Sequence, residues 1–165
     1  MRNARVFNER ITIGGVPDHE DLVQLKRLGY RTLVDLREAE EKFGGLVEKK
    51  AVMALALRYI AIPIQRAEIN MADVTRFYDA VHEEGNAPVY AFSRFGKKPL
   101  AFLLLFEAAA AGDPFPTIFR QAGRFGLNIE GDLALREFLI GIYNAGDLQP
   151  VLDAVRKHRP DLLVR

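Results

Sequence analysis

The stretch Ala87-Pro88-Val89-Tyr90-Ala91-Phe92-Ser93-Arg94-Phe95-Gly96-Lys97-Lys98-Pro99 decides how this chain is read. Its first half is an apolar run of the kind a strand covered on both faces requires. A short basic loop with one glycine follows, and a strongly apolar helix is predicted to begin near Pro99. That order builds an anion cradle. Loop and helix-start N–H groups point at one spot, and the helix dipole adds partial positive charge there. Ser93 opens the loop where a nucleophile would stand, and Lys98 closes it where a phosphate-gripping cation would stand.

Working outward, strands and helices alternate on both sides of this loop. Residues 5–13 contain β-branched residues in loose alternation and predict one or two short strands ending at Gly14-Gly15. Asp18 is placed to cap a helix whose apolar positions are Leu22, Leu25 and Leu28, with Gly29 as its stop. Residues 31–36 read as a buried strand and 37–45 as a charged loop. A helix over 46–57 and a strand over 59–64, interrupted by Pro63, come next. Asn70 caps a further helix, with Asp73 near its positive end, and Gly85-Asn86 turn the chain into the strand before Ser93. This pattern predicts an α/β fold: a mostly parallel central sheet flanked by helices. Sites in such sheets form beyond the carboxyl ends of strands, which selects the loops after Leu36, Ile64 and Phe92. The rest is helical, over 115–124, 132–144 and 148–157. The expected organisation is one domain over 1–165, with a core over about 1–125 and a helical C-terminal extension over 126–165 packed on it.

Composition narrows the chemistry. A net charge of +1 on 165 residues gives no whole-molecule field toward nucleic acid, so a basic site must be local. The cations Arg94, Lys97 and Lys98 are too few for nucleic-acid affinity. With no cysteine, disulfides, thiolate metal sites and thiol nucleophiles are excluded for the chain as it stands. His19, His82 and His158 are scattered, without ligand-like spacing, so no metal and no cofactor are expected. The apolar run over 100–111 contains Glu107 and is too short to span a bilayer; it predicts a buried helix, no membrane association and a cytoplasmic protein. Phe115, Phe119 and Phe125 read as core aromatics.

Three segments carry a resemblance: Val34-Asp35-Leu36-Arg37-Glu38, Ile60-Ala61-Ile62-Pro63-Ile64, and Pro88-Val89-Tyr90-Ala91-Phe92 before the glycine-containing basic loop. Over about residues 5–125 the chain resembles a small bacterial phosphatase family, the beta-lactamase-hydrolase-like group, related to dual-specificity protein tyrosine phosphatases. The resemblance implies a protein tyrosine phosphatase-like fold. It also implies a loop that opens with a catalytic cysteine, has a glycine three residues on, and ends in an arginine that clamps phosphate. In that family the thiolate attacks phosphorus, water hydrolyses the phosphocysteine, and an acid from another loop protonates the leaving oxygen.

Position by position, Gly96 matches the family glycine, Ser93 falls at the cysteine and Lys98 at the arginine. Both departures act against catalysis. A serine hydroxyl ionises far above a thiol, and lysine lacks the planar fork that grips two oxygens at once. The implied phosphate-binding residues are Ser93, Arg94, Phe95, Gly96, Lys97 and Lys98, joined by Arg37, which could instead pair with Glu38 or Glu41. Glu68 is the candidate general acid, and Gln65 and Arg66 could line the same mouth. The expected function is that of a phosphatase-like domain with a degenerate phosphate loop, a pseudophosphatase holding a phosphate or a phosphorylated ligand or protein. Two alternatives stay open. One is an active cysteine-dependent phosphatase captured as a Cys-to-Ser variant. The other is a scaffold using the helical tail as a partner surface or for homo-oligomer formation.

Overall fold

In the computed structural model, which describes residues 4–39 and 49–163, strands and helices alternate up to residue 111 as the sequence predicts. In chain order the elements are β1 (Arg5–Val6), β2 (Ile11–Gly14), α1 (His19–Arg27), β3 (Thr32–Asp35), α2 (Lys49–Ala54), β4 (Arg58–Ala61), α3 (Met71–His82), β5 (Val89–Phe92) and α4 (Lys97–Ala111). Then come α5 (Phe115–Arg124), α6 (Leu133–Ala145), α7 (Gln149–His158) and a closing 3-10 turn, Pro160–Leu163. The sheet order is β1-β2-β5-β3-β4, parallel except that the short edge strand β1 runs antiparallel to β2.

The pleat explains why the central strands are apolar throughout. Successive side chains point to opposite faces. Val34, Val89 and Ala91 join a large core with α3, α4 and the C-terminal helices. Leu33, Tyr90 and Phe92 face the other way, into a smaller cluster with Leu22 and Leu25 of α1 and Val52 of α2. The helices thus cover both faces, the arrangement of an α/β sheet. The 100–111 segment is a buried helix as expected: Leu100 through Phe106 are each at most 5% exposed. No described helix is long and apolar enough to cross a membrane.

Local signals fixed most boundaries. Asp18 and Asp21 form a reciprocal capping box on α1, and the Asn70 side chain accepts the Asp73 N–H at the start of α3. Three expectations need correction. Leu28 lies past the end of α1 and is 59% exposed, so the apolar face of that helix is Leu22 and Leu25 alone. The helix expected over 46–57 is described only from Lys49 and stops at Ala54. There the chain turns through Ala56 (φ 57°), and the Leu57 N–H returns to the Val52 carbonyl. The fourth strand ends at Ala61, before Pro63, which has no N–H to offer a ladder. The remainder of the charged loop, with Glu41, lies outside the described residues.

Beyond α4 the chain folds back onto the helices of one face, with α5, α6 and α7 all packing on α4 and α7 also on α3. Phe119 and Phe125 pack against the main core, Phe125 stacked on Phe7, while Phe115 meets Phe119 and Tyr143 edge-on. His82, at the end of α3, is sandwiched between Phe106 of α4 and His158 of α7, each with its centroid 5.0 Å away. Burial pushes the His82 imidazole down to about 4, and the charges of His158, Arg10 and Arg159 push the same way; its Nδ1 contact with the Tyr78 carbonyl opposes them. The unfolded chain therefore binds the proton more readily. Stability is retained above an ordinary histidine value of 6.5 and falls as pH drops from there toward 4. A loss of about 1–2 kcal/mol is expected after solvent screening. Urea midpoints compared at pH 7 and pH 4.5 should show it, and His82→Gln should remove that component.

Candidate functional site

Register brings the ends of three strands side by side. Phe92 of β5 pairs with Gly14 of β2 on one side and Asp35 of β3 on the other. The chain leaves all three strands at the same edge of the sheet, where sites in parallel sheets form. Two backbone bonds hold the exits together, from the Leu36 N–H to the Phe92 carbonyl (2.9 Å) and from the Ser93 N–H to the Gly14 carbonyl (3.3 Å).

The loop over 93–96 then turns sharply into α4. Gly96 is the residue before the helix and has φ +83°, a left-handed conformation that costs a side-chain-bearing residue about 1–2 kcal/mol. Space is as restrictive as the dihedral. A Cβ on Gly96 would lie 3.0–3.1 Å from the Gly14 backbone, and one on Gly14 would lie 2.3 Å from the Tyr90 hydroxyl oxygen. The two glycines sit back to back. Gly96→Ala is expected to lower stability by about 2 kcal/mol or more, read from a denaturation midpoint, and to abolish anion binding at the loop. The helix opens at Lys97, two residues before the expected start. Pro99 falls third in the helix, inside the first turn, where a missing N–H leaves no bond unmade.

Ser93 is 3% exposed, and its Oγ accepts the Gly96 N–H at 3.1 Å. The loop thus aims a backbone donor at the Ser93 side-chain oxygen. Lys98 is 5% exposed and stretches beneath the loop, donating from Nζ to the carbonyls of Leu36 (3.2 Å) and Ile64 (2.6 Å). One ammonium therefore ties together the two neighbouring strand exits. Arg94 and Phe95 are exposed at the turn, with the Arg94 guanidinium 5.1 Å from the Phe95 ring centroid.

A pocket of about 150 Å³ opens at this place, lined by Glu38, Arg66, Ser93, Arg94, Phe95, Lys97, Lys98 and Asp132. Four cations and two carboxylates make up its charges. Glu38 Oε1 accepts the Arg66 N–H (2.6 Å), and the Arg66 guanidinium pairs with Asp132 Oδ1 (3.0 Å). Asp132 is also the N-cap of α6, where the same oxygen accepts the Leu135 N–H.

The candidate residues divide accordingly. Ser93, Arg94, Phe95, Lys97 and Lys98 line the pocket, with Gly96 shaping the turn beneath them, and Arg66 joins them at the rim. Glu68 is exposed and absent from the lining; its N–H closes a turn on the Gln65 carbonyl. Arg37 is not in the lining either. It is 2% exposed and forms a two-pronged pair with Asp35, Nε to Oδ1 at 3.1 Å and Nη2 to Oδ2 at 2.9 Å, beneath the site. Burial opposes its charge, but the hydrogen bonds and charge of Asp35 outweigh that and raise its pKa. The Tyr59 hydroxyl also donates to Asp35 Oδ2; burial and that carboxylate push its pKa well up. Arg37 is thus part of the support on which the third strand exit stands. Sequence reasoning missed Asp132 and Glu38 as lining residues; the one available signal, Asp132 as an N-cap, points to a helix start and not to a pocket.

Comparison with known proteins agrees with this geometry. The chain matches, over residues 4–99, the family model for a DSP-PTPase phosphatase fused to NAD+ kinase. Curated relatives include a beta-lactamase hydrolase-like protein of Agrobacterium fabrum, 32% identical over 111 residues, and one of Xylella fastidiosa, 31% identical over 105. Those matches take in 66% and 61% of this chain but only 25% and 24% of the relatives, so the chain spans about a quarter of their length. Among solved structures, the core catalytic domain of the PP-IP phosphatase SIW14 from S. cerevisiae, in complex with citrate, superposes with a TM-score of 0.71 at 14% identity, covering 98% of this chain and 94% of that one. P. aeruginosa TpbA superposes with a TM-score of 0.66 at 14% identity, covering 85% and 84%. A TpbA variant in complex with pTyr gives 0.61 at 18%, covering 81% and 80%. At these identities the solved structures establish the fold: a protein tyrosine phosphatase-like α/β sheet. With more than half of its residues matched, the chain belongs to the family of DSP-PTPase phosphatases fused to NAD+ kinase.

Proposed function

We propose that this chain is a degenerate phosphatase domain, a pseudophosphatase that holds a phosphate group or a phosphorylated protein at the 93–98 loop without useful turnover. The observation that carries this reading is Ser93, which the family resemblance puts at the nucleophile position: it is buried, and its Oγ accepts the Gly96 N–H. The donor that would stabilise a thiolate is in place, but a hydroxyl ionises too high for that donor to generate an alkoxide. No histidine lines the pocket to take the proton. The second catalytic loss reinforces the first. Lys98 Nζ is engaged by the Leu36 and Ile64 carbonyls, which leaves the pocket without a two-pronged phosphate clamp at that position. A single exchange of cysteine for serine in an active enzyme would not bring that about.

In this reading the cationic lining, Arg94 and Lys97 with Lys98 below, attracts the anion, and the first-turn N–H groups of α4 orient it. Citrate on SIW14 and pTyr on TpbA support an anionic ligand for this fold. The helical extension forms one unit with the core, and the protein works in the cytoplasm. The test is calorimetric titration with inorganic phosphate beside an aryl phosphate assay. Saturable binding with no turnover is expected. Turnover at a rate like that of a cysteine enzyme, or no phosphate binding, would overturn the reading.

A further inference from the structure

Resting on that reading, we infer that Arg66 is an anion ligand of the pocket held back by Asp132, so that the first residue of the α6 region sets how tightly the loop takes phosphate. Arg66 comes from the loop after β4 and Asp132 from a chain segment far along the sequence, yet both line the same pocket as Ser93, Arg94 and Lys97. Their 3.0 Å pair joins unequal partners: the Arg66 side chain is 52% exposed, whereas that of Asp132 is 9% exposed. The guanidinium is therefore the member able to move. The carboxylate is anchored, because it also caps α6 through the Leu135 N–H. The Arg66 backbone is fixed as well, by its bond to Glu38 Oε1, so the side chain pivots from a stationary point at the rim.

The chemistry of exchange is simple. A guanidinium facing a carboxylate presents the same planar fork that grips phosphate oxygens. An incoming phosphate offers that fork a second acceptor in a pocket whose other walls are cationic. Asp132 opposes this twice, by competing for Arg66 and by placing a negative charge beside the anion. The Arg66 end of the pair is half exposed, where solvent screens the attraction, so a bound phosphate can displace it. Arg66 then supplies a two-pronged contact from the rim, the kind of contact that Lys98 beneath the loop cannot make. Asp132 lies outside residues 4–99, the part of the chain that matches the family model. The latch is thus a specificity determinant that the extension adds to the phosphate loop.

The test is the dissociation constant for inorganic phosphate in four proteins: wild type, Asp132→Ser, Arg66→Gln and the double variant. Serine keeps an N-cap acceptor while removing the charge, and Asp132→Asn serves the same purpose should the serine variant fold poorly. Asp132→Ser is expected to tighten phosphate about 3- to 10-fold and Arg66→Gln to weaken it by a similar factor. In the Arg66→Gln background the Asp132→Ser gain should shrink to less than about 2-fold, because the latch has no fork left to release. Phosphate binding that ignores both substitutions, or an Asp132→Ser gain that is undiminished without Arg66, overturns the latch while the phosphate-loop reading stands. Absence of phosphate binding in all four proteins overturns that reading and the latch with it.

Discussion

On the pseudophosphatase reading proposed above, Ser93→Cys is expected to bring slow hydrolysis of aryl phosphates, with a gain of at least about 100-fold over wild type. The substitution changes one atom at a place already organised for it. Residue 93 is buried at the start of the loop, and its side-chain oxygen receives the Gly96 N–H. A sulfur there meets the same donor and the positive end of α4, both of which lower a thiol pKa. The thiolate then attacks phosphorus, the aryl oxygen leaves, and water hydrolyses the phosphocysteine. The rate should remain far below the roughly 10⁶-fold that a nucleophile contributes in an enzyme whose parts act as a unit. Lys98 Nζ is bound to two carbonyls and does not clamp the transferring group. Adding Lys98→Arg should bring a further gain of about 10²-fold, the scale of one positioned oxyanion stabiliser. Stopped-flow release of an aryl leaving group measures both steps. Silence in the single and the double variant, with an unchanged fold, would mean that the loop is not arranged for chemistry.

The second large effect lies beneath the site. Asp35→Ala is expected to destabilise the protein by about 3–5 kcal/mol, because it strips the carboxylate from a guanidinium that is only 2% exposed. Asp35 is completely buried and serves three donors in turn: the Arg37 backbone N–H, the Arg37 guanidinium and the Tyr59 hydroxyl. Removing it leaves Arg37 over the Phe92 ring, 5.6 Å from the centroid, without that counter-charge. Replacing both members with apolar residues of similar size, Asp35→Leu with Arg37→Met, should recover most of the loss. Urea denaturation decides the matter. A cost below about 1 kcal/mol for Asp35→Ala would show that water reaches the guanidinium and that the pair does not support the third strand exit.

How much of this was legible in the sequence depends on the distance over which each feature is determined. Strand and helix order was readable because it is set locally, by apolar runs such as Val89–Phe92 and by caps such as Asp18 and Asn70. The site loop was readable for the same reason, since strand, glycine turn and helix follow one another without a break. The start of α4 was misplaced by two residues because Pro99 suggests a first helical position, whereas the left-handed Gly96 lets the helix begin at Lys97. Leu28 fits the apolar spacing of α1 but lies beyond its last turn, at a point where the chain has already left the core. The wider site could not be read. Lys98 reads as a phosphate-gripping cation until the carbonyls of Leu36 and Ile64, from two other strand exits, are found to take its Nζ. Arg37 invites assignment to the anion pocket until Asp35, two residues away, is found to claim its guanidinium. Asp132 enters the pocket only because the chain returns after α5, a packing decision no local pattern encodes.

The account rests on an anion taking its place at the 93–98 loop, against the first turn of α4. Its most direct measurement is a nitrogen-15 amide titration with inorganic phosphate, followed residue by residue. The prediction is a set of saturable shifts concentrated on Arg94, Phe95, Gly96, Lys97 and Lys98, fitting a single dissociation constant. Shifts scattered evenly over surface lysines and arginines, or none at those five amides, would contradict it.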